Sequence, residues 1–102
     1  MEIENQPTYF VVQCLLKYAS FEEVKAKASH EVAAHVKRSK ELHDKRVLLM
    51  AGAFLDKADG SLSTMAIVAS RQDAEAYVHG DPFYLNGMMS EWSIYEWANM
   101  FA

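Results

Sequence analysis

The chain has 102 residues, long enough for one hydrophobic core and too short for two, so a single domain over residues 1–102 is expected. A hydrophobic fraction of 51% with 24% charged residues excludes the depleted composition of a disordered chain. Fourteen acidic against ten basic residues leave a net charge of -4, and the basic residues are scattered rather than striped, which argues against a nucleic-acid partner.

Residues 1–8 are polar and lack a basic segment followed by an apolar one, so no secretory signal is read and a cytoplasmic location is expected. The longest apolar run, 9–16, is broken by Gln13 and is too short for a membrane span. Over 8–18, Phe10, Val12, Cys14, Leu16 and Tyr18 alternate onto one face, which predicts a first strand. Cys14 is the only cysteine, and its apolar neighbours suit a buried, inert thiol better than a nucleophile.

Ser20 and Glu23 have the spacing of a capping box, which predicts a helix over 21–43. At ~100° per residue, Phe21, Val24, Ala28, Val32, His35, Ser39 and Leu42 share one stripe of that helix, with the charged residues mostly opposite. A second strand is expected over 46–55, buried on both sides from Val47 to Met50 and open to a close approach at Gly52. The turn residues of 56–61 then predict a hairpin into a third strand over 64–69.

Ser70 and Asp73 repeat the capping spacing and begin a helix over 71–79 that stops at Gly80. Asp81-Pro82-Phe83 opens a short turn ending near Gly87, and 88–97 forms a fourth strand with Trp92 and Ile94 on one face and Tyr95 and Trp97 on the other. The order β-α-β-β-α-β specifies an α+β, ferredoxin-like four-stranded antiparallel sheet with both helices on one face. Its other face is also apolar, and a second copy of the chain is the simplest cover, so a homodimer is expected.

His35 and Asp81 are the candidates for chemistry. A histidine on an apolar helical face is commonly a satisfied core residue, and Asp81 in Gly-Asp-Pro is commonly a helix cap. Ser39, one turn after His35, adds a second polar group to the same stripe, which points to a polar cavity beneath the helix. A carboxylate beside the imidazole would orient it and stabilise its protonated form, giving the pair acid–base capacity. His30 and His43 lie roughly 140° and 80° around the helix from His35, so a metal site is not expected. His79 faces the helix dipole and stands near Asp81 in sequence, as an outside candidate for the rim.

Residues 74–97, A-x-x-Y-V-H-G-D-P-F-Y-L-N-G-M-M-S-E-W-S-I-Y-E-W, and residues 35–54, H-V-K-R-S-K-E-L-H-D-K-R-V-L-L-M-A-G-A-F, resemble the YciI-like (YCII-related) family. The resemblance rests on Asp-Pro-Phe, a glycine four residues after that phenylalanine, a strand ending Ile-x-x-Trp, and a histidine-bearing helix leading to an Ala-Gly step. It implies a dimeric α+β barrel with a His-Asp site, which falls on His35 and Asp81. It also implies acid–base elimination without a cofactor, by likeness to a family dehydrochlorinase. The chain departs from the family in carrying Glu31 and Val32 where arginine is frequent, and Ala53 where proline is.

These readings lead to a small-molecule enzyme acting by elimination, isomerisation or dehalogenation on a ring-containing substrate. His35 and Asp81 are its catalytic pair, and Ser39, Gly52 and Phe83 its substrate-binding residues, with no metal, cofactor, nucleic acid or membrane involved. The alternative is a non-catalytic dimeric module that binds a small ligand or assists another enzyme.

Overall fold

A computed structural model describes residues 3–57 and 59–101, so Met1, Glu2 and Ala102 at the ends and Ala58 of the expected turn lie outside the described residues. After a 3-10 turn at Ile3–Asn5, the elements are β1 (Thr8–Leu16), α1 (Phe21–Lys27), α2 (Ser29–Asp44), β2 (Leu48–Ala53), β3 (Ser63–Val68), α3 (Arg71–His79), α4 (Pro82–Leu85) and β4 (Met89–Ala98). The strands form one antiparallel sheet in the order β2-β3-β1-β4. This is the expected ferredoxin-like α+β arrangement.

Local chemistry starts the helices where the sequence places them. Ser20 accepts a hydrogen bond from the Glu23 amide at 3.1 Å, and Ser70 accepts one from the Asp73 amide at 3.0 Å. Each hydroxyl satisfies an early amide that has no partner within its own helix.

The continuous helix expected over 21–43 is instead two helices hinged at Ala28, whose φ is -144° and ψ 43°. The Ala28 amide still donates to the Val24 carbonyl, and the Ala28 carbonyl still accepts from Val32. These two bonds end α1 and begin α2, and no amide of Ser29, His30 or Glu31 bonds back to Lys25, Ala26 or Lys27, so the helical ladder breaks at Ala28. Val24 and Ala28 bury beside Leu16, Leu62, Phe83 and Met88, whereas every residue of α2 keeps some exposure.

The end of α2 is a Schellman closure, with the Arg46 amide bonded to the His43 carbonyl and the Val47 amide to the Leu42 carbonyl. Glycine usually holds the left-handed position of this motif, but here Arg46 does, at φ 63°.

The main core gathers Val12, Cys14 and the helix-facing residues Leu48, Ala66 and Val68 under Ala74, Tyr77 and Val78 of α3. Ile94 packs against it from β4, and Trp92 lies farther out at the sheet edge. The opposite face of the sheet is uncovered: Tyr9, Val11, Leu15, Met65, Ile67, Tyr95 and Trp97 align across β1, β3 and β4. The expectation that Val47 to Met50 are buried on both sides is corrected here. Only Leu48 is buried, and Met50 is 64% exposed, because β2 is an edge strand with one face turned to the open side.

Replacing Arg46 by Gly removes the left-handed strain while leaving the two closing hydrogen bonds, since Arg46 is exposed. The variant is expected to gain roughly 0.5–1 kcal/mol in urea unfolding, and a loss of stability would contradict this reading of the turn.

Candidate functional site

The site begins with a shortage of side-chain volume. Beneath α2, the helix-facing positions Ala51 and Ala53 of β2 and Thr64 of β3 are small, with Leu48 the one large residue beside them. The helix cannot fill the gap, and a cavity of about 620 Å³ opens between α1, α2 and the β2–β3 edge. Its lining is mostly apolar, with Val32, Val36, Leu48, Met50 and Phe83 prominent, so the expected polar cavity is corrected to an apolar one carrying a few polar groups.

His35 sits in the middle of α2, and Asp81 lies between α3 and α4. The fold brings them together: His35 Nδ1 lies 2.9 Å from Asp81 Oδ2. Asp81 is 2% exposed, a burial that a carboxylate tolerates only with partners. Its other oxygen, Oδ1, accepts the Phe83 amide at 2.8 Å, which caps α4. The capping role and the pairing role thus coexist, one on each oxygen.

Phe83 completes the setting by stacking on the His35 ring, with centroids 4.6 Å apart and planes inclined by 25°. An ionised carboxylate can only accept, so His35 Nδ1 carries the proton in this bond, and in the neutral ring the lone pair then falls on Nε2. Ser39 and Gly52 also border the cavity. A Cβ built on Gly52 would meet no described atom within 4 Å, so the glycine keeps the cavity edge open without any close backbone approach within the chain.

His79 does not border the cavity; its ring meets Tyr84 and Trp92 edge-on at 5.2 and 5.5 Å. His43 does border it, as does Tyr77, which the sequence reading left unassigned. The available signal for Tyr77 was its place four residues before Asp81, on the buried face of the helix shared with Ala74 and Val78.

Burial, reinforced by the Asp81 carboxylate, pushes the Tyr77 phenol up to about 12, against an opposing hydrogen bond from Ser39. Burial and then Asp81 likewise push the Cys14 thiol up to about 11, against a hydrogen bond from Thr64. The buried carboxylate is therefore close enough to act on both groups. Arg38 ties the two helices outside this cluster, its Nη1 and Nη2 donating to the Tyr77 and Ala76 carbonyls at 2.9 and 2.8 Å. A Cβ on Gly80 would come within 2.5 Å of that guanidinium. Among the described residues, no three His, Cys, Asp or Glu side chains converge as a metal site, and no helix is long and apolar enough to cross a membrane.

The sequence matches the family described as the YCII-related domain over residues 11–98. No curated protein sequence matches the chain. Among solved structures, it is similar to 5-chloro-2-hydroxyhydroquinone dehydrochlorinase from Burkholderia phenoliruptrix AC1100, in complex with 2,5-dihydroxybenzoquinone. That likeness has a TM-score of 0.64 and 17% identity, and covers 89% of this chain and 94% of the other. A candidate antibiotic biosynthesis monooxygenase from Caulobacter crescentus CB15 superposes with a TM-score of 0.58 at 14% identity, covering 94% and 92%. A second such candidate, from Nitrosomonas europaea, has a TM-score of 0.54 at 14% identity, covering 95% and 94%. At these identities the likeness establishes the fold alone.

Above pH 9.0, the ordinary thiol value, the unfolded chain loses the Cys14 proton while the folded chain keeps it until about pH 11, so stability falls as pH rises through that window. Cys14→Ala is expected to flatten the decline in melting temperature between about pH 9 and pH 10, before Tyr77 begins to contribute above its ordinary 10.0. Equal slopes in the two proteins would contradict the assignment.

Proposed function

This chain belongs to the YCII-related domain family, and on that premise we propose that it is an enzyme using His35 and Asp81 for acid–base chemistry on a small ring-containing molecule. The observation that carries this reading is the 2.9 Å bond between the imidazole and a buried carboxylate at the wall of an apolar cavity. Nε2 of His35 is the base. When it takes a proton from the substrate, the resulting imidazolium keeps its Nδ1 proton on Asp81, whose charge stabilises the new cation. Asp81 and Phe83 hold the ring from its edge and its face, so little reorientation is needed before transfer.

A flat ring suits a cavity of about 620 Å³ with mostly apolar walls. The reaction class is elimination, isomerisation or dehalogenation, each of which begins with removal of a proton. The fold's likeness to a protein described as a dehydrochlorinase in complex with a dihydroxybenzoquinone supports the choice of an oxygenated ring.

The working unit is a homodimer formed through the uncovered sheet face, where Tyr95 and Trp97 stand 56% and 46% exposed beside Val11 and Ile67. A two-fold contact of this face with itself buries those side chains without requiring another partner. The location is the cytosol, where a lone reduced thiol such as Cys14 persists.

Chlorinated hydroxyhydroquinones are the first substrates to assay, by chloride release. His35→Gln, whose side-chain amide can still donate to Asp81, is expected to lower turnover by about 10²–10⁴-fold with the melting temperature nearly unchanged. Undiminished chloride release by the variant would end the proposal, and tight binding by the wild type without product would favour a non-catalytic module. Separately, Trp97→Lys is expected to shift sedimentation equilibrium from dimer toward monomer; a wild-type mass at all concentrations would argue against this interface.

A further inference from the structure

Beyond the His35–Asp81 pair, the cavity holds a second polar group that has no place in the mechanism so far. Ser39 follows His35 by one turn of α2, which puts its hydroxyl ~6 Å along the same helix face. Tyr77 reaches the cavity from α3, buried to 6% exposure, and its phenol interacts with the Ser39 hydroxyl. The backbone of Tyr77 is held by α2 as well, since its carbonyl accepts from Arg38 Nη1 at 2.9 Å.

We infer that Tyr77, backed by Ser39, is the hydrogen-bond donor that holds an oxygen substituent of the substrate ring, selecting ring ketones, quinones and phenols over unsubstituted rings. The inference rests on the reading of His35 as the base, and it supplies the opposite end of the reaction. When Nε2 takes a proton from a carbon next to a carbonyl, the C–H pair becomes the new C=C bond and the C=O π pair moves onto oxygen, giving an enolate. A fixed donor at that oxygen stabilises the charge as it develops.

The phenol is suited to this part. Burial and the Asp81 carboxylate hold its pKa at about 12, so it retains its proton at neutral pH. A Ser39 hydroxyl donating to the phenol oxygen leaves the phenol's own proton for a ligand. Apolar walls strengthen the bond by excluding competing water. Lys40, His43 and Thr64 also border the cavity, but none of them contributes to the environment of the Tyr77 phenol as Ser39 does.

The test uses acetophenone and ethylbenzene, two rings of similar size of which only the first carries a carbonyl. A carbonyl accepts and cannot donate to an unprotonated His35 Nε2, so the comparison reads the donor rather than the base. Calorimetric titration of the full chain gives the ratio of the two dissociation constants. In Tyr77→Phe, which keeps the ring and removes only the hydroxyl, the preference for acetophenone is expected to fall about tenfold with ethylbenzene binding unchanged. Ser39→Ala is expected to lose a smaller part of the preference, and His35→Gln to keep it.

An unchanged ratio in Tyr77→Phe, or a wild type that binds neither ring, overturns the inference. Should Tyr77→Phe keep its ratio while His35→Gln loses turnover, the donor is refuted and the base stands. The reverse pattern refutes the base and leaves Tyr77 as a ligand-selecting residue.

Discussion

The arrangement depends on one buried carboxylate. Asp81 has almost no contact with water, and each of its oxygens is committed to a different element, Oδ1 to the first turn of α4 and Oδ2 to the middle of α2. Burying this charge is tolerable because both bonds are made. Removing either partner would leave an oxygen in an apolar setting, so the pairing of His35 with Asp81 is a condition of the local fold as well as a chemical device. α2 packs Val32 and Leu42 against the core but fully buries no residue. The bond from His35 to Asp81 and the clasp of Arg38 on the end of α3 supply what hydrophobic contact does not.

The cavity follows from the same economy. Small residues under α2 leave space, and the polar anchors hold the helix above that space instead of letting it collapse inward. Filling the gap with larger side chains at Ala51 or Ala53 would improve packing and remove the site. Gly80 illustrates the precision involved, since the guanidinium of Arg38 occupies the position a side chain there would need. The same carboxylate reaches Cys14 and Tyr77 electrostatically, which links a core thiol, a cavity phenol and the imidazole to one charge.

What was legible in the sequence is what local chemistry determines. The caps at Ser20, Ser70 and Asp81, the bounds of the second helix and the alternation of β1 all rest on hydrogen bonds or periodicities within a few residues. The meeting of His35 with Asp81, 46 positions away, rests on no local pattern and was implied only by the family resemblance. The hinge at Ala28 was hidden because helix formers run through it and no glycine or proline marks the break. Arg46 in a left-handed position violates the usual glycine signal, so pattern alone could not find that closure. The burial of β2 was overestimated for a related reason: an apolar run reads the same in a central strand and in an edge strand with an open face. Tyr77 was missed because a tyrosine on a core face carries no sign of what its hydroxyl touches.

The edge strand joins the two halves of the molecule's chemistry. Met50 and Gly52 face the open side of the sheet, yet both also border the cavity, as does Met65 beside them. The cavity therefore reaches around the edge of β2 instead of closing beneath the helices. Any surface that covered the open face near this edge would also wall the mouth of the site. It would exclude water from the approach to His35 and raise the strength of every polar contact inside. A bare apolar face and an unfinished cavity are thus one problem in this fold, and a single covering contact would resolve both.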